Sequence, residues 1–278
     1  MEKPLKILSC GAGVQSTVLA LMSCRQVSMD NGEQMPLLDH VIFSDTGAEP
    51  AAVYRHVEWL KAEVESYGVP FHVVSNGNIT EHLKEGMVKG SESEKRYATI
   101  PAYVASPDGG RAILRRQCTD EFKIKPVERK IRQILGLKPR QRAPINAIEH
   151  WFGISADETR RARVSKHRWE TNRYPLIFDK RMRRHECINW FAENYNRDLP
   201  RSSCVFCPFH DNTEWRRLTA AEFESACEMD ELIRTSAQMR GKLYLHRSLT
   251  PLREADLRTQ EEKGQMNWLD ECCGVCGV

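Results

Sequence analysis

No stretch of the 278-residue chain stays apolar for the ~18–20 residues a membrane helix needs; arginine, lysine or glutamate interrupts every candidate. The opening residues, Met-Glu-Lys-Pro-Leu-Lys-Ile-Leu, contain neither an apolar signal core nor a small-residue cleavage site. A cytoplasmic protein with no membrane partner is therefore expected. Internal repeats and low-complexity linkers are also missing, so the simplest division is one large domain, residues 1–215, followed by a helical extension, 216–278, with a Cys-rich tail. What is present is ordinary for a folded protein: hydrophobic residues make up 41% and charged residues 28%.

The net charge of +3 hides an asymmetry. Residues 111–184 hold 21 Lys/Arg against 8 Asp/Glu, and the remainder holds 20 against 30. A basic middle on an acidic scaffold points to a polyanion, either nucleotide phosphates or nucleic acid; solvated Arg-rich helices are the plainer alternative. Trp169 and Tyr174 interleave with Arg160, Arg161, Arg163, Lys166, Arg168 and Arg173, a pattern that can follow a nucleic-acid backbone and stack a base. The other tryptophans fall in apolar-periodic segments and are expected in the core, and His40, His56 and His72 have no constellation around them.

The ten cysteines do not read as a disulfide scaffold in a chain of this size without a secretory signal. Cys24 and Cys227 sit in helical patterns and are expected to be buried. Cys204-Val-Phe-Cys207-Pro208 is the strongest local metal signal, since a C-x-x-C turn directs two thiolates at one centre. Cys187 lies seventeen residues earlier, and Cys118 is distant in sequence.

Apolar runs at 6–9, 40–44, 71–75 and 144–153 read as strands, and 17–25, 51–67, 125–135, 183–195, 219–238 and 251–263 as helices. Their alternation predicts an α/β fold with a mostly parallel sheet flanked by helices. Residues 86–110, rich in Ser, Gly and Pro, read as a loop over the site. The first strand turns into the first helix through Ser9-Cys10-Gly11-Ala12-Gly13-Val14-Gln15-Ser16. Gly11 and Gly13 allow close backbone approach, and Ser16 and Thr17 offer hydroxyls at the positive end of the helix, which together suit an anion. Gln15 stands where a Walker loop has Lys, and the three glycines of a dinucleotide fingerprint are not all present. Asp45 and Thr46 end the second strand, where ligands sit in open parallel sheets.

This turn resembles the PP-loop of the ATP pyrophosphatase superfamily, with Cys10, Ala12 and Gln15 departing from the common form. Three further segments resemble the branch that contains phosphoadenylyl-sulfate reductases and related sulfur-transfer enzymes. These are Phe43-Ser44-Asp45-Thr46-Gly47-Ala48-Glu49, then Arg116-Gln117-Cys118-Thr119 with Phe122-Lys123-Ile124-Lys125-Pro126, and Gly153-Ile154-Ser155-Ala156-Asp157-Glu158. The resemblance covers about residues 5–210 and implies an adenine nucleotide alpha-hydrolase-like fold, with ATP as substrate and Mg²⁺ as its companion.

On that resemblance, Ser9, Gly11, Gly13, Gln15, Ser16 and Thr17 bind the polyphosphate. Asp45 and Thr46 serve the ribose or a magnesium-bound water, Arg115, Arg116 and Lys123 neutralise phosphate charge, and Gly153 and Asp157 complete the site. Related reductases hold a [4Fe–4S] cluster with a cysteine pair and a C-x-x-C; here Cys118, Cys187, Cys204 and Cys207 are the expected set. The rival is structural Zn²⁺ on Cys187, Cys204, Cys207 and His210. The tail Glu271-Cys272-Cys273-Gly274-Val275-Cys276 resembles in part a reductase tail whose thiol attacks sulfur, so Cys273 and Cys276 are candidates for persulfide chemistry, or alternatively for completing the metal site.

The expected function is adenylylation of an acceptor with release of pyrophosphate, followed by sulfur transfer. Nucleic acid, above all DNA undergoing backbone phosphorothioation, is the preferred acceptor, with a persulfide donor such as a cysteine desulfurase as partner. A thiol-dependent phosphoadenylyl-sulfate reductase is the alternative enzyme, and a non-catalytic metal-binding nucleic-acid module the alternative of another class.

Overall fold

Apolar runs in the first half of the chain become short parallel strands, each handed to a helix through a turn at its C-terminal end. The computed structural model describes residues 3–88, 100–105, 110–235, 241–259 and 262–264. Its elements begin with β1 (Leu5–Cys10), α1 (Val14–Cys24), β2 (His40–Asp45), α2 (Ala51–Ser66), β3 (Phe71–Ser75) and α3 (Ile79–Val88). Then come β4 (Tyr103–Ala105), β5 (Arg111–Ile113), a π turn (Asp120–Ile124), α4 (Lys125–Ile134), β6 (Ile148–Phe152), a 3₁₀ turn (Ala156–Arg161) and β7 (Glu170–Arg173). The chain continues through α5 (Pro175–Phe178), α6 (Arg184–Asn194), α7 (Asn212–Arg217), α8 (Ala220–Thr235), β8 (Leu243–Tyr244) and a 3₁₀ turn (Leu252–Glu254).

These elements form two compact units. The first comprises Met1–Asp45, Ala51–Ser75 and Ile124–Ser202; the second comprises Thr46–Pro50, Asn76–Lys123 and Ser203–Val278. The first unit holds a five-stranded sheet in the order β3-β2-β1-β6-β7, and every neighbouring pair is parallel. This is the expected α/β architecture. Alternation along the strands feeds two apolar layers. Leu8, Cys10, Val41, Phe43 and Trp151 point into a core shared with α1, α2 and α6, while Ile7, Ile42 and Ile148 meet Val127 and Ile131 of α4. The chain leaves β1 toward β2 and β3 on one side and returns to β6 and β7 on the other. The switch point therefore lies between β1 and β6, and the crevice at their C-terminal ends is the natural ligand position.

The second unit gathers α3, α8 and a three-stranded antiparallel sheet, β5-β4-β8, around Phe122, Phe206, Trp215 and Leu243. Strands β4 and β5 fall at the end of, and just beyond, the stretch read as loop; at three residues each they are too short to carry a periodic signal. The helix expected over 251–263 is limited to the turn Leu252–Glu254. Beyond it the Asp256 carboxylate accepts from the Arg258 backbone N–H at 3.1 Å, a local bond that competes with helix formation. Among the described residues no helix is long and apolar enough to cross a membrane. The Cys-rich tail lies outside the described residues.

One contact fixes the switch point. A Cβ built on Gly153, just past β6, would lie 2.5 Å from the Ser16 backbone nitrogen and 2.6 Å from its Cα, so only glycine lets β6 end against the start of α1. Gly11 has nothing within 4 Å of such a Cβ. Gly153→Ala is expected to lower the unfolding free energy by ~1–3 kcal/mol, as overpacking against unyielding backbone does, while Gly11→Ala changes it by less than ~1 kcal/mol. Urea denaturation of the two variants checks this.

Candidate active site

The turn from β1 into α1 is built to leave helix N–H groups available. Ala12 adopts a left-handed φ of 55°, unusual for a residue with a side chain, and Gly13 is extended at the helix N-cap. No side chain caps α1. The first i→i−4 bond of this eleven-residue helix runs from the Thr17 N–H to the Gly13 carbonyl at 3.0 Å, so the Val14, Gln15 and Ser16 amides precede the intrahelical ladder at the positive end of the helix. Ser16 Oγ donates to the Gly13 carbonyl at 3.3 Å and receives a weak bond from the Cys10 thiol at 3.8 Å. Burial, the largest influence, pushes the Cys10 thiol pKa up, so this cysteine is a packing thiol.

Gln15 is the hub of a polar network. Its Nε2 donates to Glu158 Oε2 at 3.0 Å and to Ser155 Oγ at 3.3 Å, and its Oε1 accepts from Arg184 at 3.0 Å. Arg161 closes an ion pair on Glu158. An amide suits this place because it both donates to a carboxylate and accepts from a guanidinium; Asp at 15 would face Glu158 with like charge. Asp157 accepts from the Arg184 backbone N–H at 3.2 Å. Asp45, at the end of β2, accepts from the Tyr54 hydroxyl at 2.9 Å. The first unit thus brings together Ser9, Gly11, Gly13, Gln15, Ser16, Thr17, Gly153 and Asp157 around the switch point, with Asp45 on the strand beside β1.

Thr46, Arg115, Arg116 and Lys123 belong to the second unit. There Thr46 Oγ1 lies 3.4 Å from Glu49 Oε1 and 3.3 Å from Cys204 Sγ. The turn is held by Gly47, whose φ of +74° and whose closeness to Asn78, with a built Cβ 2.9 Å from Cγ, both demand glycine. Arg116 stacks its guanidinium 5.6 Å from the Phe209 ring centre. Lys123 pairs with Glu49 at 3.7 Å; the carboxylate side chain is 1% exposed and the lysine 38%. Desolvation works against the ammonium, but Glu49 first, then Cys204, Cys207 and Cys118, outweigh it and hold its pKa above the ordinary lysine value.

Three of the four expected metal thiols therefore share one neighbourhood. Burial, assisted by Glu49, pushes Cys204 up to about 12, and burial raises Cys118 against the opposing charge of Arg116 and Lys123. Cys187 is placed elsewhere: it is fully buried on α6 in the core of the first unit. His210, the alternative ligand, is engaged through Nε2 with Ser203 Oγ at 2.7 Å and packs edge-on against Trp215. Among the described residues no three Cys, His, Asp or Glu side chains take up a metal-binding arrangement. The four-thiol set is thus not assembled within either unit. Cys273 and Cys276 lie outside the described residues.

Several residues that sequence reasoning passed over are tied into side-chain hydrogen bonds. His56 meets Thr17 Oγ1 through Nε2 at 2.9 Å, and His40 and His72 meet at 3.2 Å. Ser9 meets His150, which meets Glu170. A lone histidine in an apolar strand carries no signal of its partner when that partner is more than a hundred residues away. Tyr174 is corrected from a stacking platform to a buried residue, with its hydroxyl tied to the Arg163 backbone. No protein-family model matches the chain, and no curated protein matches it either.

Burial, with Arg197 assisting, lowers the His56 pKa to about 4, against ~6.5 for an unfolded chain. The unfolded state therefore takes up the proton first, and stability falls as pH drops from about 6.5 toward 4, by ~1.4 kcal/mol per unit for this group. His56→Gln is expected to be less stable at pH 7 yet to lose ~2 kcal/mol less than the parent chain between pH 7 and 5. Denaturant midpoints at the two pH values measure the difference.

Proposed function

We infer that the chain is an ATP pyrophosphatase that activates an acceptor for sulfur transfer. The observation that carries the reading is the uncapped start of α1 at the β1/β6 switch point, pressed against the backbone at Gly153, with Arg184 and Arg161 beside Gln15 and Glu158. This combination of uncapped amides, a helix dipole and nearby guanidinium groups suits a polyphosphate. Magnesium, which supplies charge neutralisation on the phosphates, would be met by Asp45 through a bound water.

In this reading an acceptor oxygen attacks the α-phosphorus of ATP. The new P–O bond forms as the bond to the bridging oxygen breaks, and pyrophosphate leaves with the negative charge. The amides of the turn and Arg184 stabilise that charge as it develops. The terminal sulfur of a persulfide donor then displaces AMP, which leaves with the electron pair of the P–O bond, and joins the acceptor to the donor through an S–S bond. A second donor thiol attacks the donor-side sulfur, leaving a disulfide on the donor and a thiolate on the acceptor. The turn lacks the Asp found in many relatives of the resemblance, and Gln15 instead steers Arg184 toward the site. Ser16→Ala, which deletes a hydroxyl at the helix start, is expected to lower pyrophosphate release from ATP about ten-fold or more in an anaerobic mixture containing the sulfur donor and DNA. No pyrophosphate from the parent chain in that mixture contradicts the reading.

A nucleic-acid acceptor is supported by a basic concavity of the first unit, where Arg132, Arg140, Arg142 and Arg168 surround Trp169. It lies at the N-terminal edge of β6 and β7, the opposite edge of the sheet from the phosphate-binding turn. Arg132 donates to the Lys138 and Gln141 carbonyls at 3.2 and 2.7 Å, which folds the loop so that Arg140 and Arg142 face the same hollow. Guanidinium groups around an indole suit a single strand that alternates phosphate and base. Arg140→Ala with Arg168→Ala is expected to weaken binding of a single-stranded oligonucleotide and to reduce the slope of log K against log salt by about 1–2. An unchanged slope removes nucleic acid from the reading and leaves the nucleotide chemistry standing.

A further inference from the structure

Three side chains from three adjacent strands form a continuous chain of hydrogen bonds that ends beside the phosphate-binding turn. Ser9 on β1, His150 on β6 and Glu170 on β7 point to the same sheet face, the one covered by α4. Ser9 Oγ lies 2.7 Å from His150 Nε2, and His150 Nδ1 lies 3.1 Å from Glu170 Oε2. Ser165 Oγ donates to the other Glu170 oxygen at 2.6 Å. The His150 and Glu170 side chains are 8% and 10% exposed, while Ser9, one residue from the end of its strand, is half-buried.

Proton positions follow from these contacts. Burial raises the Glu170 pKa, but the hydrogen bonds from His150 and Ser165 outweigh burial and hold it below its ordinary value. Glu170 is therefore a carboxylate, which can only accept, so His150 Nδ1 must carry a hydrogen. Two states remain for Nε2. In neutral His150, Nε2 accepts the Ser9 hydroxyl proton, and Ser9 has nothing to donate to a ligand. In protonated His150, Nε2–H donates to Ser9 Oγ, and the Ser9 proton is released to turn outward.

We propose that His150 and Glu170 are positioning residues that couple capture of a phosphate group at Ser9 to the uptake of one proton. An anion at the Ser9 hydroxyl needs a donor there, and the protonated form of His150 leaves one without breaking the Ser9–His150 hydrogen bond. The ligand therefore selects that form, and the imidazolium sits between the Glu170 carboxylate and the incoming phosphate charge. Among the described residues Ser9 Oγ is the hydrogen-bond partner of Nε2. On β1 the same face presents Ile7, α4 presents Val127 and Ile131, and the Phe152 ring lies 4.3 Å from the imidazole. Beyond Glu170 stand Ser165 and His167, the latter 3.5 Å from Glu128, and Tyr174 stacks on the far side of Phe152 with its hydroxyl bound to the Arg163 backbone. The proposal rests on the reading that residues 9–17 hold a polyphosphate.

Isothermal titration with α,β-methylene-ATP and Mg²⁺, at pH 7.5 in buffers of different ionisation enthalpy, counts the protons that accompany binding. The parent chain is expected to take up about one proton more than His150→Gln does. The glutamine amide still donates to Ser9, so the variant is expected to bind within a few-fold of the parent affinity. Ser9→Ala is expected to lose the extra uptake as well. Binding with equal proton counts in parent and variant overturns this proposal alone; no binding by the parent chain overturns it together with the phosphate-binding reading. Should His150→Gln fail to fold, the imidazole ¹⁵N resonances of His150 in the parent chain decide. A change from the neutral to the doubly protonated pattern on saturation is expected, and an unchanged neutral pattern refutes the coupling.

Discussion

The site depends on a near-contact between two pieces of backbone. Where β6 ends, Gly153 lies so close to Gln15 and Ser16 that a single methyl group could not be inserted. That closeness has a structural cause, because β1 and β6 are hydrogen-bonded neighbours running in the same direction and their C-terminal turns must share the crevice between them. It also has a chemical consequence. With β6 pressed against the start of α1, the turn after β1 is fixed beside the end of β6, and no side chain caps the helix that follows it. The polar network of Gln15, Ser155, Glu158 and Arg184 then locks the first helical turn to the segment that follows Gly153.

Electrostatics in the two units follow different logic. In the first, Arg161 pairs with Glu158 and Arg184 reaches Gln15, so charge and amide groups are matched in one network at the start of α1. In the second, a nearly inaccessible Glu49 is matched by Lys123, with Cys118, Cys204 and Cys207 nearby, and burial raises the thiol pKa of Cys118 and Cys204. Any soft cation binding there would have to displace the thiol protons, and the lysine charge would oppose it. The buried Glu49 makes Lys123 a structural necessity, since removing one partner of such a pair leaves an uncompensated charge.

Much of the first unit was legible in the sequence because its signals are local. The run Lys6-Ile7-Leu8-Ser9 with its glycine turn, Pro50 before α2, and the apolar periodicity of α4 each depend on neighbours within a few residues. Less local features escaped. Strand β7 reads Glu-Thr-Asn-Arg, without an apolar run, because it is the edge of the sheet and pairs on one side only. The small antiparallel sheet of the second unit joins residues near 104 to residues near 243, a pairing no window reveals. The same limit applies to the site. The turn at 9–17 and the C-x-x-C loop were visible as motifs, whereas the His150 and His56 contacts exist only once strands are placed side by side. Cys187 joins the C-x-x-C only through the resemblance, as a stand-in for a missing cysteine of the cluster pattern; its helical, apolar surroundings on α6 place it in the core.

The central claim is that the amides opening α1 are the seat of a polyphosphate. It is tested most directly by following backbone ¹H–¹⁵N resonances while a non-hydrolysable ATP analogue with Mg²⁺ is added. The account predicts the largest saturable shifts at residues 11–17 and at 153–158. Shifts confined to other segments, or none at millimolar analogue, would contradict it.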